Sequence, residues 1–290
     1  MLNRRSFVKS SIFAAGAASL GITEITYAAS AETCHWALLS DTHLPADITE
    51  KVHGFSIVRN MEDIVLAVAA AKPAGIAITG DIARLKGLPG DYVTVKEYVD
   101  LLSKTAPVFM ALGNHDNFKN FNAAFPATSG QKMPVRGKHV TVVNSGPMRF
   151  IFLDSLQITN YTAGLLGTAQ RRWLKKYLNE QDKRPTIIFF HHTLGEGDGN
   201  MQDDLRFLDV VQSQRHVKAF VFGHSHVYRC SKQGDLDMIN LPSTAYAFGK
   251  SIPVGWIDAQ FTVAGVTLKL NAVAGSRAND GKVTEIKWRT

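Results

Sequence analysis

Cysteine is scarce in this 290-residue chain, with only Cys34 and Cys230 present. Their spacing matches neither a redox Cys-x-x-Cys pair nor a zinc site, which sets aside both chemistries. No Pro/Gly/Ser-rich linker interrupts the middle and no internal repeat occurs, which excludes arrays and points to one domain over residues 32–290. No basic run suits tracking along nucleic acid, so no stable nucleic-acid partner is expected despite a formal charge of +7. What is present is an ordinary balance for a soluble globular protein, 45% hydrophobic and 20% charged.

Residues 1–31 stand apart. A basic start with Arg4 and Arg5 precedes Ser6, Phe7, Val8 and Lys9, then an apolar stretch from about Ser11 to Ile22 and the small residues Ala29-Ser30-Ala31. The apolar stretch is too short to span a bilayer, and Glu24 follows it closely. The pattern resembles a twin-arginine export signal ending in a small-x-small cleavage site, which implies a periplasmic or otherwise exported protein and the twin-arginine machinery as a partner. Its removal leaves 29 basic and 24 acidic side chains, a charge of +5 that suits anionic substrates. An oxidising compartment would also permit a Cys34–Cys230 disulfide.

Along the mature chain, apolar runs suited to buried strands recur at 35–39, 75–79, 108–112, 141–143, 150–153, 186–190 and 219–222. Between them lie stretches of helical period: Met61, Ile64, Val65 and Val68; Tyr92, Val95, Val99 and Leu102; Trp173, Leu174, Tyr177 and Leu178. This alternation predicts an α/β fold with largely parallel pairing, followed from Val227 by a strand-rich, antiparallel part.

Five of the apolar runs end in oxygen or imidazole donors. Asp41 and His43 follow the first, Asp81 the second, Asn114, His115 and Asp116 the third, His191 and His192 a later one, and His224 and His226 another. In open α/β sheets the carboxyl ends of strands share one edge, where sites are built, so these groups are expected to converge. Carboxylate, amide oxygen and imidazole suit Mn, Fe, Zn or Co, and the donors suffice for two ions.

The order Asp41-x-His43, Gly80-Asp81, Gly113-Asn114-His115-Asp116, His191 and Gly223-His224-x-His226 resembles the calcineurin-like metallophosphoesterases, over roughly residues 34–245. The stretch Phe152–Ser155 followed by Gly164–Leu178 is similar to the cyclic-nucleotide-phosphodiesterase-like branch. The resemblance implies a four-layer sandwich of two mixed β-sheets flanked by helices, with two divalent or mixed-valence metal ions. One ion would be held by Asp41, His43, Asp81 and His226, the other by Asp81, Asn114, His191 and His224, with Asp81 as the bridge. His115 matches the residue that protonates the leaving group or holds the phosphoryl oxygen. His192 and Asp116 would stand behind the ligands or toward substrate.

A pair of cations about 3.5–4 Å apart clamps a phosphoryl group, activates water and stabilises both the attacking and the leaving oxygen. The function implied is therefore hydrolysis of a small phosphoester, a phosphodiester ahead of a broad phosphomonoester. A non-catalytic, exported metal- or phosphate-binding protein is the reading from another class. Purple acid phosphatases carry Gly where this chain has His43 and Tyr where it has Arg84, so no tyrosinate–iron colour is expected. Arg84 also replaces an acidic residue that orients the Asn-His histidine in relatives; it reads as a phosphate-binding fork or as a surface arginine. Phe118, Phe121 and Phe125 read as core first and as a pocket wall second.

Overall fold

The computed structural model describes residues 13–17, 22–27, 32–126 and 134–290. The twin-arginine pair and the Ala29-Ser30-Ala31 pattern lie outside them. Within the segment read as an export signal, β1 (Phe13–Ala17) and β2 (Ile22–Tyr27) pair as an antiparallel hairpin.

The first half of the chain then runs β3 (Thr33–Leu39), a small hairpin of β4 (Lys51–Val52) and β5 (Phe55–Ser56), α1 (Ile57–Ala71), β6 (Gly75–Ile78), α2 (Pro89–Ser103), β7 (Val108–Met110) and α3 (Phe118–Ala124). The middle adds β8 (Thr141–Ser145), β9 (Met148–Phe152), α4 (Thr168–Glu180), β10 (Thr186–Phe189), α5 (Asp204–Val211) and β11 (Val217–Phe222). Five strands close it: β12 (Arg229–Gln233), β13 (Leu236–Asn240), β14 (Pro253–Thr262), β15 (Gly265–Gly275) and β16 (Val283–Lys287).

Two mixed sheets result, of order β16-β15-β14-β3-β6-β7 and β1-β2-β8-β9-β10-β11-β13-β12. Each has a parallel run, β3-β6-β7 reaching the edge of one and β9-β10-β11-β13 inside the other. Antiparallel pairs make up most of the rest, including the expected strand-rich end β14-β15-β16. The pair β8 and β9 departs from parallel pairing: Gly146, at φ +54, turns the chain directly back into a hairpin.

Periodicity explains the layers. Ile57, Met61, Ile64 and Val68 form the buried face of α1, which packs with α2 on the outer face of the six-stranded sheet. Trp173, Leu174, Tyr177 and Leu178 do the same for α4 against the eight-stranded sheet. Between the sheets lies an apolar layer in which Trp36 and Phe109 of one sheet meet Phe150, Phe152 and Phe189 of the other. Helix ends are fixed locally. Pro89 opens α2, and Asp91 accepts from the amides of Leu88 and Ala46, both at 2.9 Å. That second bond ties the helix to the loop that follows β3.

Phe121 is buried and Phe118 and Phe125 pack on the helical core, so this trio is core, the first of its two readings. Both cysteines are free thiols: Cys34 lies in the inter-sheet layer, where burial pushes it up to about 12, and Cys230 approaches the Tyr228 hydroxyl at 3.8 Å.

Candidate metal centre

The loops after β3, β6, β7, β10 and β11 meet at one edge, as parallel strands require. The first two are laced together by backbone bonds, Asp41 N–H to Gly80 O at 3.0 Å and His43 N–H to Asp81 O at 2.9 Å. These loops are bent far from extended backbone. Asp41, His43, Asp81, His224 and His226 all have positive φ, between 42° and 70°. Non-glycine residues adopt that region at a cost of about 1–3 kcal/mol each, and persist there where the surroundings over-determine them. Five strained residues out of the seven expected ligands mark a site held open for binding.

Two donor clusters form. Asp41, His43 and His226 make one, Asp81, His191 and His224 the other, each with its donor atoms within 4.8 Å of one another. In the first, His226 Nε2 lies 3.2 Å from His43 Nε2 and 3.4 Å from Asp41 Oδ1. In the second, His191 Nε2 lies 3.2 Å from Asp81 Oδ2 and 3.3 Å from His224 Nδ1. Asp81 Oδ2 also stands 3.9 Å from His43 Nε2, between the clusters.

Four of the ligands are aimed by a bond to their other atom. Asp41 Oδ2 accepts from Ser40 Oγ (2.5 Å) and the His224 amide (3.1 Å), leaving Oδ1 forward. Asp81 Oδ1 accepts from the His115 amide at 2.8 Å, leaving Oδ2. The Nδ1 atoms of His191 and His226 reach the carbonyls of Thr79 and Tyr246 at 3.0 and 2.9 Å, which presents Nε2 to the site.

These donors fit two cations. Asp41 Oδ1 and the Asn114 side-chain oxygen are buried with no hydrogen-bond partner among the described residues, an expensive state for atoms that have nothing to bind. The charge distribution agrees. Burial pushes both aspartates up, yet the neighbouring imidazoles outweigh it and hold both carboxyls below their ordinary range. Burial, reinforced by His226 and His115 against Asp81 and Asp41, holds His43 down at about 3, a neutral ring ready to ligate.

The remaining expected residues divide. His191 rather than His192 faces the clusters; His192 turns its Nδ1 to Ser155 Oγ at 2.7 Å, behind His224. Asp116 is fully buried and accepts from the amides of Ile82, Ala83 and Gly113 and from the Tyr92 hydroxyl, so it braces the loops. His115 is one-fifth exposed at the mouth, its Nε2 3.9 Å from Asp81 Oδ2 and its Nδ1 2.7 Å from the Leu85 carbonyl. A backbone carbonyl thus orients this ring. Arg84 Nε is engaged by Glu50 at 2.9 Å.

Residues 36–228 match the model of the calcineurin-like phosphoesterases. The chain belongs to this family. Among its relatives, a probable glycerophosphodiester phosphodiesterase, GpdQ, from Arcobacter nitrofigilis is 28% identical over 65% of this chain and 70% of its own. The 3',5'-cyclic adenosine monophosphate phosphodiesterase CpdA of Pseudomonas aeruginosa is 25% identical over 72% of this chain and 76% of its own. The fold is shared with a dimetal phosphatase from Danio rerio, at TM-score 0.68 and 16% identity over 89% of this chain and all of that one. The family match makes the protein a metal-dependent phosphoester hydrolase, and both of these curated relatives are named as phosphodiesterases.

One feature of the mouth has no counterpart in the sequence reading. Tyr246 lies under His43 and His226, and Phe248 and His53 extend outward from it, with ring centroids 4.7–5.6 Å apart. Phe248 is 62% exposed. Three rings from positions 53, 246 and 248 share no period or motif, so only the folded chain reveals them as one wall.

Proposed function

We propose that the protein is an exported phosphodiesterase that holds two metal ions at the strand ends and cleaves a small phosphodiester carrying an organic group. The observation that carries this reading is the paired donor set with Asp81 Oδ2 between its halves. Asp41, His43, Asp81 and His226 would hold one ion, and Asp81, Asn114, His191 and His224 the other. When bound, the pair supplies positive charge to clamp the phosphoryl oxygens and an activated water for in-line displacement. Asn114 contributes a neutral oxygen, which limits negative charge facing an anionic ester. His115 stands at the mouth with Nδ1 tied to Leu85, so its Nε2 is the atom available to protonate the departing alkoxide. The relatives' names, both of diesterases, support the diester over the monoester.

The test is hydrolysis of bis(p-nitrophenyl) phosphate beside p-nitrophenyl phosphate by metal-stripped mature protein, with Mn, Zn, Fe or Co returned singly. Turnover that appears only with metal, and at least about tenfold faster on the diester, is the expected result. Absence of turnover on both esters in the presence of two bound ions would instead favour a binding protein.

The aromatic wall sets a second expectation. A ring of the substrate's organic group stacks on the exposed face of Phe248, an interaction worth about 1–3 kcal/mol when the partner is a nucleobase. Phe248→Ala is expected to raise KM for a cyclic nucleotide about tenfold while leaving glycerophosphoethanolamine unchanged. An equal effect on both substrates would show that Phe248 merely supports the loop.

Export rests on the basic, apolar and small-residue order of residues 1–31. Replacing Arg4 and Arg5 with lysine is expected to keep the protein out of the periplasmic fraction, and normal export of that variant would contradict the assignment.

A further inference from the structure

The sheet edge opposite the metal centre carries a second cluster of charged side chains. β10 and β11 run parallel, and both end at the metal ligands, His191 and His224. Their starts therefore lie about 20 Å away, at some 3.3 Å per residue over the six residues of β11. There Lys183, Ser213, Gln214, Arg215, His216 and Lys218 line a cavity of about 410 Å³.

The charge around it is unbalanced. Asp182 is shared by Arg149 and Arg184, and Asp235 by Arg215 and Arg289. Four guanidinium groups thus divide two carboxylates. Lys183 and Lys218 meet no carboxylate among the described residues; their ammonium groups bond only to the backbone carbonyls of Leu178, Asn179 and Arg289. Lys183, Arg215 and Lys218 line the cavity itself and no carboxylate does, an arrangement that raises the local concentration of anions.

His216 also lines the cavity. Its side chain is buried, the residue being 7% exposed, and its carbonyl is fixed by the Thr186 amide at 2.7 Å. Its Nε2 has no hydrogen-bond partner among the described residues. A buried polar atom of this kind costs about 1–3 kcal/mol unless something meets it. Burial, then Lys183, Arg149, Lys218 and Arg289, hold the imidazole down at about 4, so at pH 7 the ring is neutral and can offer Nε2–H.

We propose that this cavity binds the phosphate group of an anionic ligand, held by Lys183 and Lys218 beside His216, whose ring lines the same cavity. The ligand chemistry is a tetrahedral dianion, the charge that complements two ammonium groups lacking carboxylate partners. Free phosphate esters and anionic lipid headgroups both carry that group. The site is separate from the metal centre and does not depend on the phosphodiesterase reading.

The experiment follows the His216 ring by ¹⁵N–¹H NMR of histidine-labelled full-length protein at pH 7, its signal assigned by loss in His216→Gln. Inorganic phosphate is titrated at constant ionic strength against chloride. A saturable shift of the His216 resonance with phosphate, absent with chloride and weakened at least about tenfold in Lys183→Gln/Lys218→Gln, supports a free-anion site. The Lys183→Arg/Lys218→Arg variant should restore it, which separates lost charge from lost folding. If phosphate has no effect but vesicles of phosphatidylcholine with 20% phosphatidic acid shift the same resonance with the same lysine dependence, the source is a lipid headgroup and the site stands. Overturning outcomes are an unmoved His216 under both probes, a chloride response equal to that of phosphate, or a shift that survives loss of both lysines. Because the readout is binding at His216, its failure leaves the diester assay untouched, and inactivity toward diesters leaves this site untouched.

Discussion

Asp81→Asn is expected to abolish hydrolysis, by more than about 10⁴-fold in kcat/KM, and to lower the metal content from two ions to fewer than one. Asparagine keeps the shape and can still accept the His115 amide through its oxygen, so the bond that now measures 2.8 Å survives. What disappears is the negative charge at Oδ2, the atom 3.2 Å from His191 Nε2 and 3.9 Å from His43 Nε2. Two cations drawn close together repel, and a shared carboxylate oxygen is the group that offsets this. His115→Ala provides the contrast. It removes a ring at the mouth that contributes no donor to either cluster, so activity should fall about 10²–10⁴-fold with both ions retained. Metal analysis beside kinetics separates the two cases. An Asp81→Asn protein that keeps two ions and activity within tenfold of the parent would remove the bridging role.

Much of this site was legible before folding because each ligand sits immediately after an apolar run. Strands announce themselves through such runs, and parallel strands bring their ends to one edge, so Asp41, His43, Asp81, Asn114, His191, His224 and His226 could be grouped without coordinates. The helices at 57–71, 89–103 and 168–180 were legible for a similar reason: each buries one face, and its period survives in the sequence. Other features leave no such trace. Asp116 shares a motif with Asn114 and His115, and that motif left open whether it stands behind the ligands or toward substrate. Its actual partners, the amides of Ile82 and Ala83 and the Tyr92 hydroxyl, lie 24 to 34 positions away. The His53–Tyr246–Phe248 wall joins a hairpin tip to a loop after β13, and its residues are neither periodic nor punctuated. Arg84 read as a phosphate-binding fork or as a surface arginine, and nothing near it in the chain pointed to Glu50, which engages its Nε from a separate loop. Contacts decided by three-dimensional closure were the ones the linear pattern could not carry.

The strained backbone of the ligand loops leads to the other large effect. Gly223→Ala should eliminate metal binding and destabilise the fold by about 3 kcal/mol, near the upper end for forcing extra atoms into a packed region. A Cβ at this position would overlap Ser40 Oγ and Asp41 Oδ2, the two atoms whose hydrogen bond aims Asp41 Oδ1 into the site. Neither has room to move. Ser40 Oγ also accepts from Thr79 Oγ1 at 2.6 Å, and Asp41 Oδ2 accepts from the His224 amide at 3.1 Å. The methyl group therefore displaces loops from both sheets at once, carrying Asp41 and His224 out of register with their partners. A merely local packing defect would behave differently, since excess metal would then restore two-ion binding and most of the activity. Thermal unfolding of Gly223→Ala with and without metal distinguishes them. The parent is expected to gain stability on adding metal, because ligation holds the folded state. The variant should unfold at one temperature under both conditions, and a metal-dependent rise equal to the parent's would show that Asp41 tolerates the intrusion.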